Sequence, residues 1–412
     1  MTSPPQSPQA APQWRARAHS IADIEASLSR IWSDAAQEAE EAGLSQGERA
    51  DARGDPHLAA HMDEARDVRV RTRTSVLTLV VVATRPETVD RAMDAVRLLA
   101  SRHPSRAILL APGDPDGPPT VDAQIYAACH LSDAGNSETC TEQILVRIGG
   151  ELNQHLAATV APLLIHDLPC VLWWPDDPPI GRPHFRQLRE QSDRLLVDSG
   201  SFGGDGRKRL AALASIVAED RTVVHDIGWM RLTLWRELFA GLFDHPLLTP
   251  ELARVHSLRI DVARPSDTFR ITKAATFAGW LSTMLDWDLD RPMEQRRGSD
   301  SLVGAFRQGR HEVKVEFRPV NTRGERTLRF PGHMVRVEME LGSARSPVRV
   351  RVTRHEDHLL ATADWKGAQV TRRAGRLEPF GEAPYLAEAL EATGADLIFE
   401  RSLARATRLV GG

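Results

Sequence analysis

Two hydrophobic rhythms divide the chain. From about residue 75 to 290, short apolar runs alternate with stretches whose apolar residues recur every three or four positions. After about residue 295, apolar and charged residues alternate with a period of two. The first rhythm predicts buried strands separated by helices; the second predicts strands with one covered face and one wet face. The run SVLTLVVVA (75–83) is nearly continuous and rich in β-branched residues, so it reads as a strand covered on both sides. Thr84, Pro86 and Glu87 suit a helix start, and Val89, Met93, Val96 and Leu99 make its apolar stripe. RAILLAP (106–112) is the next strand, which completes a βαβ unit with a right-handed crossover.

QIYAACH and TCTEQILVRI read as two strands joined by the polar turn LSDAGNSE. CVLWW, RLLVDS, TVVHDI and SLRIDVA are further strands, with helical patterns between several of them. DTFRITKAATFAGWLSTMLDW is a further helix. The fold class expected is α/β: a doubly wound, largely parallel sheet followed by a smaller α+β domain with an antiparallel sheet. Residues 1–17, rich in Pro, Ser, Ala and Gln, are expected to be disordered. Residues 18–70 should hold an amphipathic helix and a linker, 71–294 the α/β domain and 295–412 the α+β domain.

Three stretches stand apart from this pattern. In SIADIEASLSRIW, residues Ile21, Ile24, Leu28, Ile31 and Trp32 share one helical face, and Ser20 with Asp23 can form a capping box. That face either packs on its own domain or docks a partner. In HDLPCVLWWPDDPP (166–179), Trp173 and Trp174 point to opposite faces of a strand, and prolines restrain Asp176 and Asp177 beyond it. A fixed acidic tip beside indole fits a docking surface for a basic partner, or an inward-turned domain junction. Trp173, Trp174, Asp176 and Asp177, with Ile24, Leu28 and Trp32, are the candidate partner-binding residues. The third stretch, DSGSFGGDGRK (198–208), is a candidate anion cradle: Gly200, Gly203, Gly204 and Gly206 allow close backbone approach, and Arg207 follows. Its other reading is a flexible strand-to-helix connection.

Composition narrows the field. The 412 residues carry a formal net charge of −4, with 42% hydrophobic and 26% charged side chains. That balance gives no basic footprint for nucleic acid and no polybasic membrane anchor. No apolar run reaches the ~18 residues that span a bilayer. Three cysteines and an N-terminus without a signal-peptide pattern lead to the expectation of a cytoplasmic protein. Cys129 and Cys140 fall opposite one another if the turn centres on Ala134 and Gly135, as a redox-active bridge or as two buried thiols. Cys170 reads as strand core. His355 and His358 share a metal-compatible spacing, but a solvated turn is the simpler reading. The His166–Asp167 step is likewise simplest as a turn. No phosphate-loop, zinc-helix or nucleophile-elbow motif occurs, and no motif calls for a cofactor.

LPCVLWWPDDPP followed by FRQLREQSDRLLVDSGSF, in order with IADIEASLSRIW, LTLVVVA, HPSRAILLAP and AATFAGWLSTMLDW, resembles the glucose-6-phosphate dehydrogenase assembly protein family, OpcA. The resemblance covers most of residues 20–290 and extends, less closely, over the C-terminal region. It implies a non-catalytic protein without a cofactor that binds glucose-6-phosphate dehydrogenase and favours its active oligomer. The role it implies is allosteric activation in the oxidative pentose phosphate pathway, which supplies NADPH. The competing expectation is an enzyme or metabolite sensor that binds a sugar phosphate or nucleotide at 198–208.

Overall fold

The computed structural model describes residues 14–51, 70–73, 75–100, 102–131, 137–219, 221–324, 328, 330–377, 381–392 and 394–411. By internal packing the chain divides into two units. One holds the chain up to Pro175 with Arg182–Leu195 and Glu382–Leu390; the other holds Asp176–Gly181, Leu196–Gly381 and the chain from Glu391 on. The division does not follow the change of rhythm near residue 295.

In the first unit, β3 (Leu77–Val82) lies between β4 (Ser105–Pro112) and β7 (Cys170–Trp174), parallel to both. β4 is in turn parallel to β6 (Ser137–Gly149). All six residues of β3 and all five of β7 are buried, as expected of strands without a wet face. α2 (Pro86–Leu99) connects β3 to β4, with Pro86 in its first turn and Arg85 at the N-cap. β5 (Thr120–Leu131) runs antiparallel to β6, so the two strands read from QIYAACH and TCTEQILVRI are a hairpin. Its polar turn, 132–136, lies outside the described residues.

The N-terminal segment departs from expectation. Trp14–Ala18 is not disordered but forms β1, antiparallel to β5 from Trp14↔Ala127 to Ala18↔Ala123. The Pro-rich bias ends at Pro12, and WRARA alternates small or apolar residues with arginine, the pattern of an edge strand. Residues 1–13 and the linker 52–69 lie outside the described residues. α1 (Ile21–Asp51) follows with one half of its capping box formed: the Ser20 hydroxyl accepts the Asp23 backbone N–H at 3.2 Å, and it donates to the Asp23 carboxylate at 2.7 Å. β2 (Val70–Arg73) adds parallel to β6.

The second unit is built on a sheet of β10 (Val255–Arg264), β11 (Asp288–Gln295), β12 (Leu302–Gln308), β13 (His311–Asn321), β14 (Met334–Ser343), β15 (Ser346–Arg354), β16 (His358–Trp365) and β17 (Ala368–Arg376). Their order is β11-β12-β13-β10-β14-β15-β16-β17. Every pairing is antiparallel except β10 with β13. The strand read from SLRIDVA, grouped with the α/β part, is β10, in the middle of this second sheet. It alternates like its neighbours, with Leu258, Ile260 and Val262 buried and Arg259 and Asp261 ion-paired on the other face, so its place upstream of residue 295 rather than its rhythm grouped it with the α/β part.

The other strands alternate as well. Val313, Val315 and Phe317, then Val337, Met339 and Leu341, then Val348, Val350 and Val352 are buried on one face. On the other face cross-strand ion pairs link Asp261 with Arg318, Glu338 with Arg259, Glu340 with Arg349 and Asp364 with Arg351. Two helices of this unit, α8 (Thr272–Met284) and α10 (Leu397–Val410), cross closely. A Cβ on Gly279 would stand 2.2 Å from the Ser402 carbonyl oxygen, so only glycine lets the backbones meet there.

Candidate functional site

The tryptophan strand is sealed. Trp173 and Trp174 are 0% and 1% exposed, and Trp174 packs on Phe185 of α4 (Pro183–Glu190) with ring centroids 5.4 Å apart. Opposite faces of a strand receive the two indoles, and both faces of this one are covered. The indoles therefore offer nothing to a partner, which corrects the docking role expected for them. Neither indole N–H finds an acceptor among the described residues. Each such orphan costs about 1–3 kcal/mol.

Asp176 is also buried, at 3% exposure. Asp177 accepts from Arg209 at 3.0 Å and is one-third exposed, so it is a paired carboxylate rather than a free acidic tip. The helix stripe is likewise consumed within its own unit. Ile24 and Leu28 are buried, and Trp32 donates its indole N–H to Glu142 at 2.9 Å. Glu142 is itself buried and ion-paired with Arg106, whose guanidinium also reaches the Leu163 carbonyl at 2.8 Å. A stripe spent on internal packing is not a docking face.

The glycine-rich segment divides into two ends of opposite character. α5 (Arg207–Ala218) begins beyond Gly206, which takes φ +85°, and Gly204 takes φ +62°. The Arg207 backbone N–H donates to the Asp205 carboxylate at 3.0 Å, and the Arg207 side chain pairs with the same carboxylate at 2.9 Å. A Cβ on Gly203 would stand 2.8 Å from an Asp177 oxygen. An anion at this end would meet two carboxylates and a helix start already served by one of them. The cradle expected at Gly203, Gly204, Gly206 and Arg207 is thus closed by its own acids.

At the Gly200 end lies a buried network that spacing alone does not reveal. β8 (Arg194–Val197) and β9 (Val223–Asp226) each close on an aspartate and a tight turn. Asp198 accepts the Gly200 N–H at 2.9 Å and pairs with Arg231. Asp226 accepts the Ser199 hydroxyl at 2.6 Å, the Ser199 N–H at 2.8 Å and the Gly228 N–H at 2.8 Å. Burial pushes Asp226 up to about 6 against these hydrogen bonds. Burial works the same way on Asp198, but Arg231 and Lys273 outweigh it and hold that carboxyl below the usual range. Lys273 is 8% exposed; burial first, and the Arg231 charge second, bring it down to about 8. Arg270 donates to the Gly200 carbonyl. The sequence carried one signal for this network: LLVD and VVHD are both apolar strands ending on an aspartate.

Cys129 and Cys140 face each other in the β5–β6 register and form a disulfide. Of the two states the sequence left open, this is the bonded one. Cys170 is buried and free, its thiol pushed up to about 11 mainly by burial, which leaves it unreactive. The His355 and His358 rings stack with centroids 4.7 Å apart, and His358 pairs with Asp357. Among the described residues no three metal-ligating side chains converge, and no helix is long and apolar enough to cross a membrane.

Two family models match the chain in order. The glucose-6-phosphate dehydrogenase subunit N-terminal domain (OpcA) matches residues 96–215, and the C-terminal domain of the same subunit matches 222–403. Among curated relatives, the OxPP cycle protein OpcA of Synechocystis sp. is 27% identical over 190 residues, 46% of this chain and 38% of that protein. The protein of that name from Nostoc punctiforme is 30% identical over 192 residues, 46% of this chain and 39% of its own length. The match thus spans about two-fifths of these relatives. Similar solved structures include a 3-ketoreductase from Actinomadura kijaniata, 11% identical, covering 83% of this chain and 96% of that one at a TM-score of 0.44. Biliverdin reductase from Synechocystis sp. PCC 6803 is 8% identical, covering 82% and 97%, at a TM-score of 0.42.

Proposed function

This chain belongs to the OpcA family of glucose-6-phosphate dehydrogenase subunits, and on that footing we propose that it is a non-catalytic activator that binds the dehydrogenase and favours its active oligomer. The observation that carries the reading is the ordered match of both subunit domains, from residue 96 to 403. A partner shifts an oligomer equilibrium only by binding one state more tightly than the other. The proposed activator therefore holds a surface complementary to the assembled dehydrogenase and weaker for its dissociated form. The buried indoles and the internally packed α1 stripe move that surface away from the residues the sequence had suggested.

The test uses purified dehydrogenase from the same host at a concentration where it is partly dissociated. Adding this chain is expected to raise its specific activity and its mass in size-exclusion chromatography with light scattering. Absence of co-elution together with unchanged kinetics overturns the proposal.

A further inference from the structure

The first turn of α8 holds a buried hydroxyl that none of the described residues satisfies. Its N-cap position, Ile271, supplies no side-chain cap. The Thr272 hydroxyl is buried and without a partner among the described residues. Lys273, next to it, is nine-tenths buried, and its ammonium makes no hydrogen bond or ion pair among the described residues. Leaving the Thr272 hydroxyl dry and unpaired is costly. The nearby carboxylates attract the ammonium without bonding to it: Asp198 is bound to Arg231 and to the Gly200 N–H, and Asp226 to Ser199 and Gly228.

The surroundings are shaped around these two residues. A Cβ on Gly200 would lie 2.9 Å from the Lys273 Cε and 3.3 Å from its Nζ. A Cβ on Gly206 would lie 2.2 Å from the Thr272 methyl group. Gly200 and Gly206 therefore give way to side chains of the α8 start. The charges acting on Lys273 include the cations Arg231 and Arg354 and the carboxylates Asp198 and Asp226, and Arg270 donates to the Gly200 carbonyl. A thirteen-residue helix adds the partial positive charge and free N–H donors of its first turn.

We propose that the α8 start is an oxyanion site, in which Thr272 and Lys273 receive a phosphoryl group over the Gly200 turn, with Arg231 and Arg270 alongside. The site goes beyond the dehydrogenase-binding reading and is measured on this chain alone, so either stands or falls without the other.

The probe is inorganic phosphate against chloride at matched ionic strength, read by thermal unfolding and by isothermal titration at pH 7. Phosphate is expected to raise the Tm by on the order of a few degrees through mass action. Lys273→Met is expected to abolish the effect, and Thr272→Val, which keeps the shape of the side chain, to weaken phosphate affinity several-fold. On the unaltered chain, affinity should fall as pH rises through about 8, where Lys273 loses its proton while Arg231, Arg270 and Arg354 stay charged. A small sugar phosphate binding more tightly than inorganic phosphate assigns the group to a metabolite; the reverse order assigns it to free phosphate. No phosphate effect beyond chloride, or an undiminished effect in both variants, overturns the site.

Discussion

Two helices start beside the same glycine-rich segment, and they treat their free N–H groups in opposite ways. At α5 the Asp205 carboxylate accepts a first-turn N–H and pairs with the Arg207 side chain. At α8 no side chain caps the turn, and the Thr272 hydroxyl has no partner among the described residues. A helix start closed by its own carboxylate contributes stability and has no further binding capacity. One left open forgoes that stabilisation, and the cost makes sense where an external anion completes it. The glycines carry no such distinction by themselves; the side chains opposite them do.

Gly206 is the hinge of this contrast, because it starts α5 while its open side faces Thr272. Gly206→Ala combines a positive φ with a 2.2 Å clash, and a loss of about 2–4 kcal/mol is expected from urea unfolding. A loss under about 1 kcal/mol would mean that the α8 start yields easily, which would weaken the case for a shaped site.

The next effect concerns Asp226, whose raised pKa means that the folded chain holds a proton the unfolded chain has released between pH 3.8 and about 6. This contribution is present at low pH and is lost as pH rises through about 6, on the order of 2–3 kcal/mol. Asp226→Asn should flatten that part of the stability–pH profile. It should also tighten phosphate binding several-fold, since it removes a competing negative charge. Weaker binding would show that Asp226 supports the site rather than opposes it.

Asp205→Ala uncaps α5 and should cost about 1 kcal/mol in chemical denaturation. Phosphate affinity should stay within about twofold in that variant, because the Asp205 carboxylate is spent on the Arg207 N–H and side chain. Smallest is Asp177→Ala, which removes a one-third-exposed pair with Arg209. Its expected cost is about 0.5 kcal/mol, declining further in high salt, as measured by thermal unfolding.

Local chemistry was legible in the sequence and distant convergence was not. The Ser20–Asp23 cap and Pro86 at the start of α2 depend on residues close in the chain, and both are present. The pairing of Cys129 with Cys140 follows from the symmetry of one hairpin about Ala134 and Gly135. Trp173 and Trp174 misled because adjacency on a strand says that the rings part to opposite faces, not whether each face is covered. β10 misled because it lies upstream of the other strands of its sheet, among segments that belong to the α/β pattern. The Asp198, Asp226 and Lys273 network joins three separate elements, and only the recurrence of an aspartate at two strand ends hinted at it. An unpaired Thr272 or Lys273 has no signature at all, since partnership is a property of the folded neighbourhood.

The crossing at Gly279 has a mechanical consequence. With the Ser402 carbonyl against its Cα, α8 and α10 touch backbone to backbone, and no layer of side chains lies between them to deform. A displacement of α8 at that crossing is therefore expected to carry α10 with it, because little can deform between the two backbones.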